Sequence, residues 1–209
     1  MKRLPAILAP ILTAALAGCH SPSSIAGQSG AETSARLVVE TAAGDLTFEP
    51  RNVANGSCSS DDCVDFRRVD QAPVGYALIH KLYHEGSEYL LIDTESGAQL
   101  TLPAEPNFSS SGSHLIVVNP DETGDGSGSG SFVYERGEDG AFAQQARFGM
   151  EDFAATEFAG WVGPDCANIR GYTGWGKPGF DTSTTTDASL VRSADGSWTV
   201  SLKPCSAAN

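Results

Sequence analysis

Two histidines and a glutamate stand close together in His80-x3-His84-Glu85, a spacing that puts both imidazoles on one face of a helix, where they can share a metal ion. The surrounding run Gly75-Tyr76-Ala77-Leu78-Ile79 reads as strand instead. At about 3.3 Å per residue the two rings would then sit roughly 13 Å apart, too far for one ion. The order also differs from the His-Glu-x-x-His of zinc proteases, so no metal is expected. Asp121-x-Thr123-x-Asp125-Gly126 partly imitates a calcium loop, with oxygen ligands at alternating positions and a glycine at the bend. Its twelfth position is Phe132 rather than a bidentate Glu, and Gly-Ser repeats follow, so a plain connection between strands is expected. Whether Asp121 and Asp125 take calcium stays open at this level. Serines, carboxylates and His80, His84 and His114 are all present, but no Gly-x-Ser-x-Gly elbow or Cys-His signature joins them. Asp61-Asp62 and Glu151-Asp152 read as acidic surface rather than glycosidase acids. A non-enzyme without a cofactor is the expectation, with hydrolysis the last-ranked rival.

Aromatic residues are concentrated in the Gly-rich stretch from Gly160 to Gly179 and just beyond it: Trp161, Tyr172, Trp175 and Phe180. Aromatic side chains on irregular loops are common at recognition surfaces. These four are the candidate binding residues, against the equal alternative that they pack on the core or on a bridge at Cys166.

The N-terminus carries a different kind of signal. Lys2 and Arg3 precede an uncharged apolar stretch from Leu4 to Ala17, too short to span a bilayer, for which about 20 residues are needed. It reads as a secretory leader over residues 1–18. Leu16-Ala17-Gly18-Cys19 resembles the lipobox of bacterial lipoproteins, which implies cleavage before Cys19 and palmitate-type acylation of its sulfur. An ordinary cleaved leader with an incidental Cys19 is the alternative. Several acyl chains anchor a protein durably because each buried methylene contributes about 0.8 kcal/mol. His20 after the cysteine fits retention in the outer membrane, facing the periplasm. Residues 19–35, rich in Ser, Gly and Ala, then form a lipidated leash, and residues 36–209 a single folded domain.

With Cys19 set aside for lipid, Cys58, Cys63, Cys166 and Cys205 remain, an even number suited to two disulfides in an oxidising compartment. Three pairings are possible, and local order favours Cys58 with Cys63 and Cys166 with Cys205. A zinc site is the rival, but Cys58-x4-Cys63 lacks a matching second pair.

The elements that must position these residues are short and β-rich. Leu37-Val38-Val39 and Leu46-Thr47-Phe48 flank Ala43-Gly44-Asp45, and Tyr89 to Asp93 leads through Ser96-Gly97 to Gln99 to Leu102. His114 to Val118 is a bounded apolar run that suits a buried strand. Phe132 to Glu135 returns through Glu138-Asp139-Gly140 to Phe142-Ala143, and Ser189 to Arg192 through Ala194-Asp195-Gly196 to Trp198 to Leu202. Only Ala141 to Ala155 reads as a short helix, weakened by Gly149. The expected fold is all-β, a small propeller-like or sandwich-like repeat of antiparallel hairpins braced by disulfides.

Gly75-Tyr76-Ala77-Leu78-Ile79, Tyr83 to Asp93, Gly97, Pro106-Asn107-Phe108-Ser109-Ser110-Ser111-Gly112 and Gly160-Trp161 together resemble an uncharacterised bacterial lipoprotein family with propeller-like β blades. In that family a strand ending in an Ile-Asp turn precedes a Pro-x-Phe-Ser-Pro-Asp-Gly segment. The resemblance covers about residues 74–170 and implies a fold rather than an activity. Ser110-Ser111 stands where the family has Pro-Asp, a departure from a regular blade.

Lys and Arg number 13 against 26 Asp and Glu, a net charge of -13, which repels phosphate backbones and argues against nucleic acid. Without Lys2 and Arg3 the mature chain has 11 cations and a net charge of -15. The expectation is an outer-membrane-anchored periplasmic protein-binding module, with a basic protein partner and a role as inhibitor or immunity protein against a cell-wall lytic enzyme. An envelope structural or assembly factor is the rival reading.

Overall fold

Tight turns and alternating strands account for nearly all the structure. The computed structural model describes residues 35–120 and 129–206, so Cys19, most of the leash and the Asp121 to Asp125 segment lie outside the described residues. A hairpin comes first, β1 (Leu37–Val39) with β2 (Leu46–Phe48), turned at Thr41 to Gly44, where the Gly44 N–H donates to the Thr41 carbonyl. Three four-stranded antiparallel meanders follow. Sheet I holds β3 (Asp65–Val69), β4 (Tyr76–Tyr83), β5 (Gly86–Asp93) and β6 (Gln99–Leu102). Sheet II holds β7 (Pro106–Phe108), β8 (His114–Asn119), β9 (Gly130–Arg136) and β10 (Phe142–Phe148). Sheet III holds β11 (Ala154–Trp161), β12 (Cys166–Tyr172), β13 (Thr186–Arg192) and β14 (Trp198–Ser201). No helix forms among the described residues, and no sheet closes on itself.

The two-residue period of a strand decides how these sheets stack. In β8, Leu115 and Val117 join Leu78, Leu91 and Leu102 of sheet I, while Ile116 between them joins Ile169, Ala188 and Leu190 of sheet III. In β9, Phe132 and Tyr134 face sheet I and Val133 faces sheet III. Sheet II is therefore apolar on both faces, which is why its central strands are continuous apolar runs rather than alternating ones. Sheet I spends its other face, Ala77, Ile79, Leu90 and Ile92, on Val39, Leu46 and Phe48 of the hairpin.

The far face of sheet III is polar and ends the stack. Asn168 of β12 and Ser189 of β13 point that way, opposite to Ile169 and Leu190. The C-terminal tail crosses this face. Ser189 Oγ donates to the Lys203 carbonyl at 2.7 Å, the Cys205 N–H donates to Asn168 Oδ1 at 2.7 Å, and Cys205 is bonded to Cys166. The second disulfide joins Cys58 to Cys63. Both pairs are those of local order.

The expected helix from Ala141 to Ala155 is instead β10, a turn and the start of β11. A β-bulge between Gln144 and Ala146 interrupts the register of β10 on β9. The bulge turns the strand over, so Phe142 packs toward sheet I while Ala146 and Phe148 pack toward sheet III.

Two stability outcomes follow from these contacts. Replacing Cys166 and Cys205 together by Ala should lower unfolding free energy by about 2–4 kcal/mol in urea titrations, more than replacing Cys58 and Cys63, because the bridged loop is longer. Gly171→Ala should cost about 1–3 kcal/mol. A Cβ there would meet the Ala154 carbonyl oxygen at 2.1 Å and Ala155 Cα at 2.6 Å, both backbone atoms that cannot step aside.

Candidate functional site

Where sheets II and III meet, their apolar interface turns polar at one end. His114 starts β8 on the face that carries Ile116, and its register partner is Glu135 of β9. Opposite them, Arg192 of β13 is paired in register with Trp198 of β14, and Trp161 closes β11. Arg192 Nη2 spans the two sheets to both carboxylate oxygens of Glu135 at 3.0 and 3.1 Å. Its Nη1 lies 3.8 Å from Asp165.

His114 is only 4% exposed. Its ring centroid lies 5.7 Å from that of Trp198 and 6.3 Å from that of Trp161. Its Nδ1 is 3.0 Å from Ser113 Oγ, which in turn is 2.6 Å from Ser111 Oγ. The other nitrogen, Nε2, is 3.6 Å from Glu135 Oε1, outside hydrogen-bond range, and has no hydrogen-bond partner. Burial lowers the His114 pKa from its ordinary value, with Arg192 pulling the same way and Glu135 and Asp165 opposing. The ring is held neutral.

Serine, histidine and glutamate thus stand in a row, but the row is built for cohesion. Glu135 already engages Arg192, so its charge is spent across the sheet interface rather than on the imidazole. The His114 N–H donates to Ser109 Oγ and its carbonyl accepts from the Ser109 N–H, closing the turn that carries Ser111 and Ser113. Trp161 works alongside: its Nε1 donates to the Asn107 carbonyl of β7 at 3.1 Å, bracing sheet III against sheet II. Sequence reasoning passed over Arg192 and Glu135, because each is an ordinary strand residue until the two sheets are stacked.

The structure divides the four candidate aromatics. Tyr172, Trp175 and Phe180 come together, with Phe180 edge-on to both others at centroid distances of 5.8 and 4.9 Å. All three are half-buried: Tyr172 ends β12, and Trp175 and Phe180 lie on the loop between β12 and β13, which Gly174 and Gly176 turn through the left-handed region at φ 77° and 72°. Trp161 is not among them. His80 lies in β4, stacked on Tyr89 of β5 at 4.4 Å, while His84 falls in the turn after that strand. Among the described residues no three His, Cys, Asp or Glu side chains gather as a metal site.

Below the aromatic loop lies an open cavity of about 620 Å³, at the outer edge of the cleft between sheets II and III. Phe148 of β10 and Trp198 and Val200 of β14 form its apolar wall, and Leu202, 60% exposed, forms its lip. Lys177 of the aromatic loop stands at one side, Glu151 and Asp152 at another. The Trp198 indole N–H is buried, and no acceptor meets it among the described residues. Strands β10 and β14 are both edges of their sheets, so each leaves one row of backbone groups without a strand partner.

No family model matches the chain, and no curated protein or solved structure is significantly similar to it. The site must be read from its own chemistry.

The neutral His114 makes stability depend on pH in a definite direction. In the unfolded chain the imidazole binds a proton below about pH 6.5, whereas the folded state resists that proton. Stability is therefore retained above pH 6.5 and falls as the pH drops through and below it. His80, also lowered by burial and by Arg67, acts in the same sense. His114→Gln should reduce the loss of unfolding free energy between pH 7.5 and 5.5, measured by urea titration at both pH values. An unchanged loss would place the effect elsewhere.

Proposed function

We propose that this chain is an exported, lipid-anchored envelope protein whose folded part is a protein-binding module for a basic partner, with inhibition of a cell-wall lytic enzyme as its specific form. On this reading Cys19 carries the lipid, the outer membrane holds the anchor, and the three meanders are an open, propeller-like array in the periplasm. The two disulfides are compatible with an exported protein.

The observation that carries the proposal is how the cations are used. Arg36, Arg67, Lys81, Arg170 and Arg192 are in ion pairs with acids of the same chain. Arg136 and Arg147 lie over the rings of Tyr76 and Phe132. With 26 acids against 13 bases, internal pairing of the cations leaves a surplus of carboxylates as the field an approaching molecule meets. Such a field accelerates association with a basic protein and repels an acidic one.

The test is a binding measurement with the full chain against a purified basic muramidase and an acidic protein of similar size, at about 20 and 300 mM salt. Binding of the muramidase alone, weakened at least tenfold by salt and accompanied by loss of lytic activity, is the expected result. Equal binding of both proteins, or of neither, would overturn the proposal.

A further inference from the structure

Resting on the proposed reading, we infer that the partner is engaged through an extended, basic peptide segment that lies in the cleft between β10 and β14 and adds itself as a strand to an open sheet edge. Four observations meet at this place. The cleft is bounded by β10 and β14, each an edge strand of its sheet among the described residues, and unpaired strand edges accept extended chains by main-chain hydrogen bonding. Its volume, about 620 Å³, falls in the range of ligand-binding cavities and admits a few residues of extended chain. Phe148, Val200 and exposed Leu202 offer apolar contact to alternate side chains of such a segment, which project to one face every second residue. The ring of Trp198 forms part of the cleft wall, so a segment lying there packs against an indole held by His114 and Trp161.

Charge selects the occupant. Arg147 borders the cleft, but its guanidinium lies over the Phe132 ring, on the face of sheet II turned toward sheet I, and donates to the Ser129 carbonyl. The charged heads left to meet a ligand are Lys177 against the pair Glu151 and Asp152. The local balance is negative, as is the balance of the whole chain, so Lys or Arg side chains flanking the apolar ones are favoured.

The probe is a capped nine-residue peptide alternating Val with Lys and Thr, added to the isotopically labelled full chain and followed by NMR. Two control peptides accompany it: one with every Lys replaced by Glu, and one N-methylated at alternate amides so that it cannot pair as a strand. The indole N–H resonance of Trp198, assigned with Trp198→Phe, should shift with the Lys peptide and not with either control. Leu202→Lys, which removes an exposed apolar side chain and adds a like charge, should weaken the Lys peptide at least tenfold, whereas Val38→Lys, on the opposite end of the stack, should not. Equal binding of the N-methylated peptide, shifts confined to other sheets, or no effect of Leu202→Lys would overturn the inference. Applying Leu202→Lys to muramidase binding separates the two levels. Muramidase binding that survives this variant leaves the basic-partner reading standing and removes the cleft as its site; absence of muramidase binding in the unaltered chain removes the reading itself.

Discussion

Everything in this fold depends on a sheet that is apolar on both faces. Leu115, Ile116 and Val117 are each fully buried although they point alternately in opposite directions. A strand of that kind has no solvent face, so sheet II is stable only between two covering layers, and sheets I and III supply them. Removing either layer would expose one complete row of β8 and β9 side chains to water. The stacking order is thus set by the hydrophobic effect acting on two strands in the middle of the chain.

A stack of sheets has ends, and each end is handled differently. Sheet I still has an apolar outer face, and the β1–β2 hairpin covers it with Val39, Leu46 and Phe48. Sheet III instead turns Asn168 and Ser189 outward, and the tail hydrogen-bonds across them under the Cys166–Cys205 bridge. A polar face held by a tethered tail offers nothing for a further sheet to bury. The edges of the sheets are left open, and at β10 and β14 they border the cleft beneath the aromatic loop.

Trp198 links the two parts of the site. One side of its ring belongs to the packed polar end of the interface, beside His114 and Trp161, and another forms the wall of the cleft. The inner part is rigid for a physical reason: Glu135 and Arg192 join sheets II and III through a two-oxygen contact, and a neutral imidazole fills the space between two indoles. A rigid wall lowers the entropy lost when a segment is ordered against it. The His114 row therefore holds Trp198 in place between the two sheets.

Much of this was legible beforehand. The turns at Gly44, Gly97, Gly140 and Gly196 and the β-rich pieces around them marked four of the hairpins, because backbone geometry at a turn and the side-chain period of a strand are local properties. The helix read over Ala141 to Ala155 is β10, a turn and the start of β11; His84, read as a strand side chain, lies in a turn; and Trp161 and Tyr172, read as loop residues, end strands β11 and β12. What the sequence by itself determined is the class of structure, the hairpins β1–β2, β5–β6, β9–β10 and β13–β14 with the buried strand β8, the cysteine pairs compatible with local order, and a strongly acidic balance. Only the tertiary structure decided which strands lie face to face, and with that the meeting of His114 and Glu135 with Arg192 and Trp198, the separation of Trp161 from Tyr172, Trp175 and Phe180, and the cleft between β10 and β14. Those relations join residues from different sheets, 57 positions apart in the case of Glu135 and Arg192, and nothing in local spacing encodes them. They arise when apolar faces find each other and carry along whatever polar residues stand at their ends.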